Sequence, residues 1–144
     1  MTPKNIVVVF VTDNPKKKTF HYSLGLAKEF DGKISVLQCL YRPPPTFGFF
    51  ETKHDEKRRD KKKKSCQKSL EEFVKIGEKS DIPIKIKAIL ADPVSKGVIS
   101  YGNSRDFDLV ILDSPKLKSF EAAYYENTVL ELHRNLKPPL LLLN

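Results

Sequence analysis

Apolar residues along this chain recur at two different spacings, and the chain switches repeatedly between them. Lys4–Val11 is apolar and largely β-branched at consecutive positions from Ile6 onward. That pattern predicts a strand covered on both faces, as in a parallel sheet. Thr12-Asp13-Asn14-Pro15 breaks it with turn and capping residues. From Thr19 the period lengthens: Phe20, Leu24, Ala27 and Phe30 fall at helical spacing, and Asp31-Gly32 closes the helix, with glycine expected in the left-handed cap. Lys33–Leu40 predicts a second strand, which must end before Pro43-Pro44-Pro45.

The next segment is longer and more polar. Phe47, Phe49 and Phe50 fall in a loop, where aromatic residues are expected to fold back onto the core or to meet a partner. Beyond the polar stretch 51–64, Cys66, Leu70, Phe73 and Val74 restart the helical period. One long helix is expected, its C-terminal half packed and its N-terminal half protruding into water. In 84–90, Ile84, Ile86, Ala88 and Leu90 alternate with Lys85 and Lys87, the trace of an edge strand with one wet face. Asp92 is expected as the N-cap of a third helix, with Pro93 at its first position and Val94, Val98 and Tyr101 as its apolar stripe. Phe107–Leu112 predicts another doubly buried strand. Ser119–Asn135 predicts a fourth helix with Phe120, Ala123, Tyr124, Val129, Leu130 and Leu132 on its apolar face. Leu140–Leu143 predicts the last strand.

Strands alternating with helices imply an α/β fold: an open five-stranded parallel sheet with helices on both faces, expected as one domain over 1–144. Ligands in such sheets sit at the carboxyl ends of the strands. Those ends supply Thr12 and Asp13, Leu40 and Tyr41, Ala91 and Asp92, and Asp113 and Ser114. Neither GxxxxGK[ST] nor GxGxxG occurs, and the chain holds only six glycines, so the common phosphate-binding loops are excluded.

Composition alters this picture in two places. The formal net charge is +8, and residues 57–64 carry seven cations and one acid, so six of the eight charges are local to one short run. Cys39 and Cys66 lack any paired-ligand spacing and read as ordinary core thiols in a reducing compartment. The longest apolar runs fall far short of the roughly 18 residues that cross a bilayer. No leader-like segment precedes the first strand. A cytoplasmic protein with no membrane partner is therefore expected.

Over nearly its whole length the chain resembles the universal stress protein family. The resemblance rests on 8–13 (VVFVTD) ending the first strand, on Ala91-Asp92-Pro93, on 107–112 (FDLVIL), and on 137–143 (KPPLLLL) as the final strand. It implies a Rossmann-like sheet of the adenine nucleotide alpha hydrolase kind. ATP-binding members carry glycines at the places of Asp113, Lys116 and the Glu126-Asn127 pair, where side chains here would fill the space that phosphates need. The resemblance thus implies the branch without usual ATP binding. A nucleotide pocket for ATP or AMP, if formed, would use Thr12, Asp13, Leu40, Asp113, Ser114, Lys116, Asn127 and Thr128.

His21, His54 and His133 are scattered, and no nucleophile or metal motif occurs, so no enzyme is expected. Three readings stand side by side. The leading one is a stress-response regulatory homodimer paired through Leu140, Leu141, Leu142 and Leu143, the edge that the resembled family uses, with protein partners of its own. The second is a nucleotide switch at the strand ends, with Lys116 and Lys118 as substitute phosphate partners. The third is a nonspecific binder of nucleic acid or acidic partners through Arg58, Arg59, Lys61, Lys62, Lys63 and Lys64. Against the third, no aromatic residues interleave that basic run.

Overall fold

A computed structural model describes residues 2–144. Its elements are β1 (Asn5–Phe10), α1 (Lys17–Glu29), β2 (Lys33–Tyr41), α2 (Lys53–Lys79) and β3 (Ile84–Ala91), then α3 (Val94–Asn103), β4 (Leu109–Asp113), α4 (Ser119–Asn135) and β5 (Leu140–Leu143). The sheet runs β3-β2-β1-β4-β5, with every neighbouring pair parallel. The chain steps outward from β1 through β2 to β3, then crosses back to β4, so the strand order reverses beside β1.

β1 lies at the centre, with Val8 opposite Val36 on one side and Ile111 on the other. Its period of two divides its side chains between two cores. Ile6, Val8 and Phe10 pack with Phe20 and Leu24 of α1 and Leu70 and Phe73 of α2. Val7 and Val9 pack with Val94 and Val98 of α3 and Leu132 of α4. Because both faces are covered, the strand has no polar position to spare, which accounts for its unbroken apolar run. Phe73 joins the layers, stacked at 5.8 Å from Phe10 and tilted at 4.5 Å from Phe20. Cys39 and Cys66 are buried free thiols, and burial pushes Cys39 up to about 12 and raises Cys66 as well.

Three local expectations need correction, and a fourth gains a detail. The left-handed residue after α1 is Asp31 (φ 52°), not Gly32. Gly32 is needed for space, since a Cβ there would lie 2.6 Å from the Lys4 carbonyl oxygen. Asp92 does not cap α3. Pro93 is its N-cap, and the N–H of Val94 donates to Tyr124 Oη at 3.1 Å, so α4 supplies the missing acceptor. The N-terminal half of α2 is exposed as expected, yet it is tied down at several points. Thr52 and Asp55 form a capping box, Arg59 pairs with Glu51, and Lys62 reaches Asp13 at 3.1 Å. On α4, Leu132 is buried but Phe120 and Leu130 are exposed, because the helix rests on the sheet along a narrower line than its apolar spacing implies.

The two sheet edges are finished differently. Lys85 and Lys87 line the outer face of β3. Gln67 of α2 donates to Ile86 O (3.4 Å) and accepts from Ala88 N–H (3.2 Å), bonding this edge as a further strand would. β5 pairs with β4 alone, and Leu142 is 45% exposed.

Candidate functional site

The carboxyl ends of β1 and β2 open into a cavity of about 850 Å³, closed on its far side by the N-terminal half of α4. Val11, Leu40 and Val94 supply apolar surface beside the strands, while Tyr41, Phe120, Tyr124 and Tyr125 supply aromatic walls. Thr12, Asp13, Lys62, Glu121 and Thr128 are among its polar groups. The β1 end is held in place by Gln38, whose side-chain N–H donates to the Thr12 carbonyl at 2.8 Å. Tyr124 is held by its hydroxyl bond to Val94 N–H and by an edge-on contact with Tyr41 at 6.4 Å. Thr128 is buried and donates back to the Tyr124 carbonyl at 3.0 Å.

Of the strand-end residues expected to meet a ligand, Thr12, Asp13, Leu40 and Thr128 line this cavity. Asp113, Ser114, Lys116 and Asn127 do not. Asp113 is buried on the opposite face of the sheet, where its carboxylate accepts from the Thr19 hydroxyl at 2.5 Å. Alternation along β4 explains this: Leu112 packs toward α3 and α4, so the next residue must point toward α1. Ser114 is tied from several sides. Its hydroxyl lies 3.1 Å from Tyr125 Oη, its N–H donates to Leu143 O at 2.9 Å, and its carbonyl accepts from Lys16 Nζ at 3.0 Å. Tyr125 Oη also donates to the Asp113 carbonyl at 3.0 Å, locking α4 to the end of β4. Burial raises the Tyr125 phenol, its Ser114 bond lowers it, and the Asp113 carboxylate raises it further, so the hydroxyl stays a protonated donor at neutral pH. Lys116 and Asn127 are exposed.

The residues that motif reasoning missed are Lys62, Val94, Phe120, Tyr124 and Tyr125. Lys62 comes from the middle of the basic run, and its pair with Asp13 joins two exposed groups at the cavity mouth. Such a pair is worth at most about 1 kcal/mol, so a ligand carrying its own charge can displace it. The expected basic patch is thereby divided. Arg58, Arg59 and Lys62 turn toward Asp55, Glu51 and Asp13, whereas Lys61, Lys63 and Lys64 face solvent.

Chemically, the cavity offers flat aromatic surface with a few polar groups, which suits a planar heterocycle bearing hydroxyls. The β4–α4 loop beside it is braced by the bonds of Tyr125 to Ser114 and to the Asp113 carbonyl. Among the described residues no group of three or more His, Cys, Asp or Glu could hold a metal. His21, His54 and His133 are exposed and none lines the cavity.

No protein-family model matches the sequence, and no curated relative does. Solved structures do share the arrangement over the whole chain. The universal stress protein UspA from Lactobacillus plantarum superposes with TM-score 0.73 at 10% identity, covering 100% of this chain and 99% of that one. A universal stress protein from Archaeoglobus fulgidus in complex with dAMP gives 0.56 at 11%, covering 100% of both chains. A universal stress protein family member from Arabidopsis thaliana with AMP bound gives 0.57 at 14%, covering 98% and 91%.

Proposed function

We propose that this chain, whose fold is that of the universal stress proteins, is a cytoplasmic stress-response regulator that acts as a homodimer and takes an adenine mononucleotide in its α4-walled cavity. One observation carries the ligand class. The cavity keeps aromatic walls and strand-end polar groups, while its β4–α4 side is braced by Tyr125 and Ser114. A base and sugar have surface to occupy, and the braced β4–α4 loop favours one phosphate over three. The bound dAMP and AMP in two structures of the same fold support this size of ligand. Lys62 is the cation available to a single phosphate, at the expense of its pair with Asp13.

The homodimer reading rests on the unequal edges. β3 carries outward lysines and the Gln67 amide, whereas β5 carries four leucines and no covering group. A leucine edge left unpaired in water invites association with its own copy. No described helix is long and apolar enough to cross a membrane, and two unpaired buried thiols suit a reducing compartment.

The test is thermal unfolding with saturating AMP, ADP or ATP. A ligand at about a hundred times its dissociation constant stabilises by roughly 2.7 kcal/mol, several degrees in the midpoint for a domain of this size. AMP is expected to raise the midpoint more than ATP at equal concentration. A larger shift with ATP would refute the reading of the β4–α4 loop, and no shift with any of them would remove the nucleotide.

A further inference from the structure

The loop between β2 and α2 carries an apolar surface that the cavity does not use. Phe47, Phe49 and Phe50 are 70%, 100% and 74% exposed, so none has folded back onto the core. The tip is nonetheless a built turn. Gly48 takes a left-handed φ of 61°, Phe47 and Phe50 form a bridge, and Phe50 N–H donates to Phe47 O at 3.3 Å. Its two flanks are fastened to α2, Thr46 to the Asp55 carboxylate and Glu51 to Arg59. Three large apolar side chains are thus held out in water by a network of polar bonds.

A second feature begins directly after this tip. Lys53, Lys57, Lys61, Lys64, Lys68 and Lys75 follow one another at intervals of four, four, three, four and seven, which places them on one face of α2. That face lies opposite the buried Asp55, Cys66, Leu70 and Phe73. All six lysines are exposed, and none forms an ion pair among the described residues. From Lys53 to Lys68 the ridge extends about 22 Å. Like charges at this spacing weaken a helix in isolation, an effect that Asp60 and Glu71 on or beside the same face offset only in part. Phe49 precedes Lys53 by four residues, which keeps the tip within about 14 Å of the start of the ridge.

We propose that the tip and the ridge dock this protein on an anionic membrane surface, the phenylalanines entering the boundary between headgroups and acyl chains while the lysines lie over acidic headgroups. Aromatic side chains favour that boundary, and basic residues near it are drawn by the surface potential of acidic lipids. A nucleic acid strand fits less well, because the lysines stand on a convex helix face with no concave wall to track a backbone. The sequence-based expectation of no membrane partner rested on the lack of a spanning run, which does not bear on surface docking.

The chain contains no tryptophan, so Phe49→Trp provides a single fluorescent reporter at the tip. Its emission and co-sedimentation are followed with vesicles of phosphatidylcholine alone and of phosphatidylcholine mixed with phosphatidylserine. The proposal expects a blue shift and binding with the serine lipid, both reversed by high salt and both weak with phosphatidylcholine alone. Changing Lys53, Lys57, Lys61 and Lys64 together to Gln should weaken binding roughly a hundredfold or more. Phe47→Ser with Phe50→Ser should also weaken it, with the unfolding midpoint of each exposed-site variant near that of the parent. Binding without a blue shift would overturn the proposal, as would equal binding to neutral vesicles or unchanged binding by either set of variants. Tighter binding to polyuridylate that ignores the phenylalanine changes would assign the ridge to nucleic acid instead.

Discussion

The carboxylate of Asp55 accepts from the Thr46 hydroxyl and N–H, from Thr52 N–H at 3.0 Å, and from Arg58 at 3.0 Å. One side chain thereby caps α2 and fixes the base of the phenylalanine tip. The Thr46 hydroxyl first, then the Thr52 N–H, hold its pKa well below the usual carboxylate range, against the opposing effect of burial. A folded-state pKa below the unfolded value of about 3.9 stabilises the protein above that value, and the contribution is lost as pH falls through it. The stability difference between the parent and Asp55→Asn should be constant above about pH 5 and shrink as pH is lowered toward 3. Thermal midpoints of both proteins across that range check it; a difference that does not change with pH would mean that the carboxylate is not charged in this network. Asp13, by contrast, is exposed at the cavity mouth with Lys62 as its partner, which leaves it open to a ligand.

At the scale of elements, the two edge strands show what a sequence pattern can carry. β3 alternates because its outer face is wet at Lys85 and Lys87, and that alternation is visible in Ile84–Leu90 without any structure, although Ile89 and Ala91 farther along pack on the α3 side. The Gln67 amide that finishes the same edge was not visible, since its reach depends on how α2 is rolled against the sheet. The order of elements located Thr12, Asp13 and Leu40 correctly at the strand ends, because strand termini leave local signals. Parity along β4 could have placed Asp113: with Val110 and Leu112 facing α3 and α4, Asp113 falls on the other face. Tyr124, Tyr125 and Lys62 had no such signal, as helical spacing reports which residues are apolar and not which of them overhang a cavity. At the opposite edge, Leu142→Lys places a charge on the exposed side of β5, where a pairing copy would lie. Light scattering should find a dimer for the parent and a monomer for the variant; an unchanged dimer would place the twofold contact elsewhere.

For the whole molecule, about 10% identity suffices for the universal stress protein arrangement over the full chain, because the fold is set by alternating periods and doubly covered strands. At the carboxyl ends of the strands, Tyr41 and the α4 residues Tyr124 and Tyr125 stand beside a braced β4–α4 loop. The proposed mononucleotide lies between the ends of β1 and β2 and the aromatic residues of α4. Backbone amide shifts followed by NMR during titration with AMP test it most directly. Thr12, Asp13, Leu40, Tyr124 and Thr128, which line the cavity, should move together while Ser114 and Lys116, which do not, stay in place. Shifts centred on Asp113, Ser114 and Lys116, or none at saturating AMP, would contradict it.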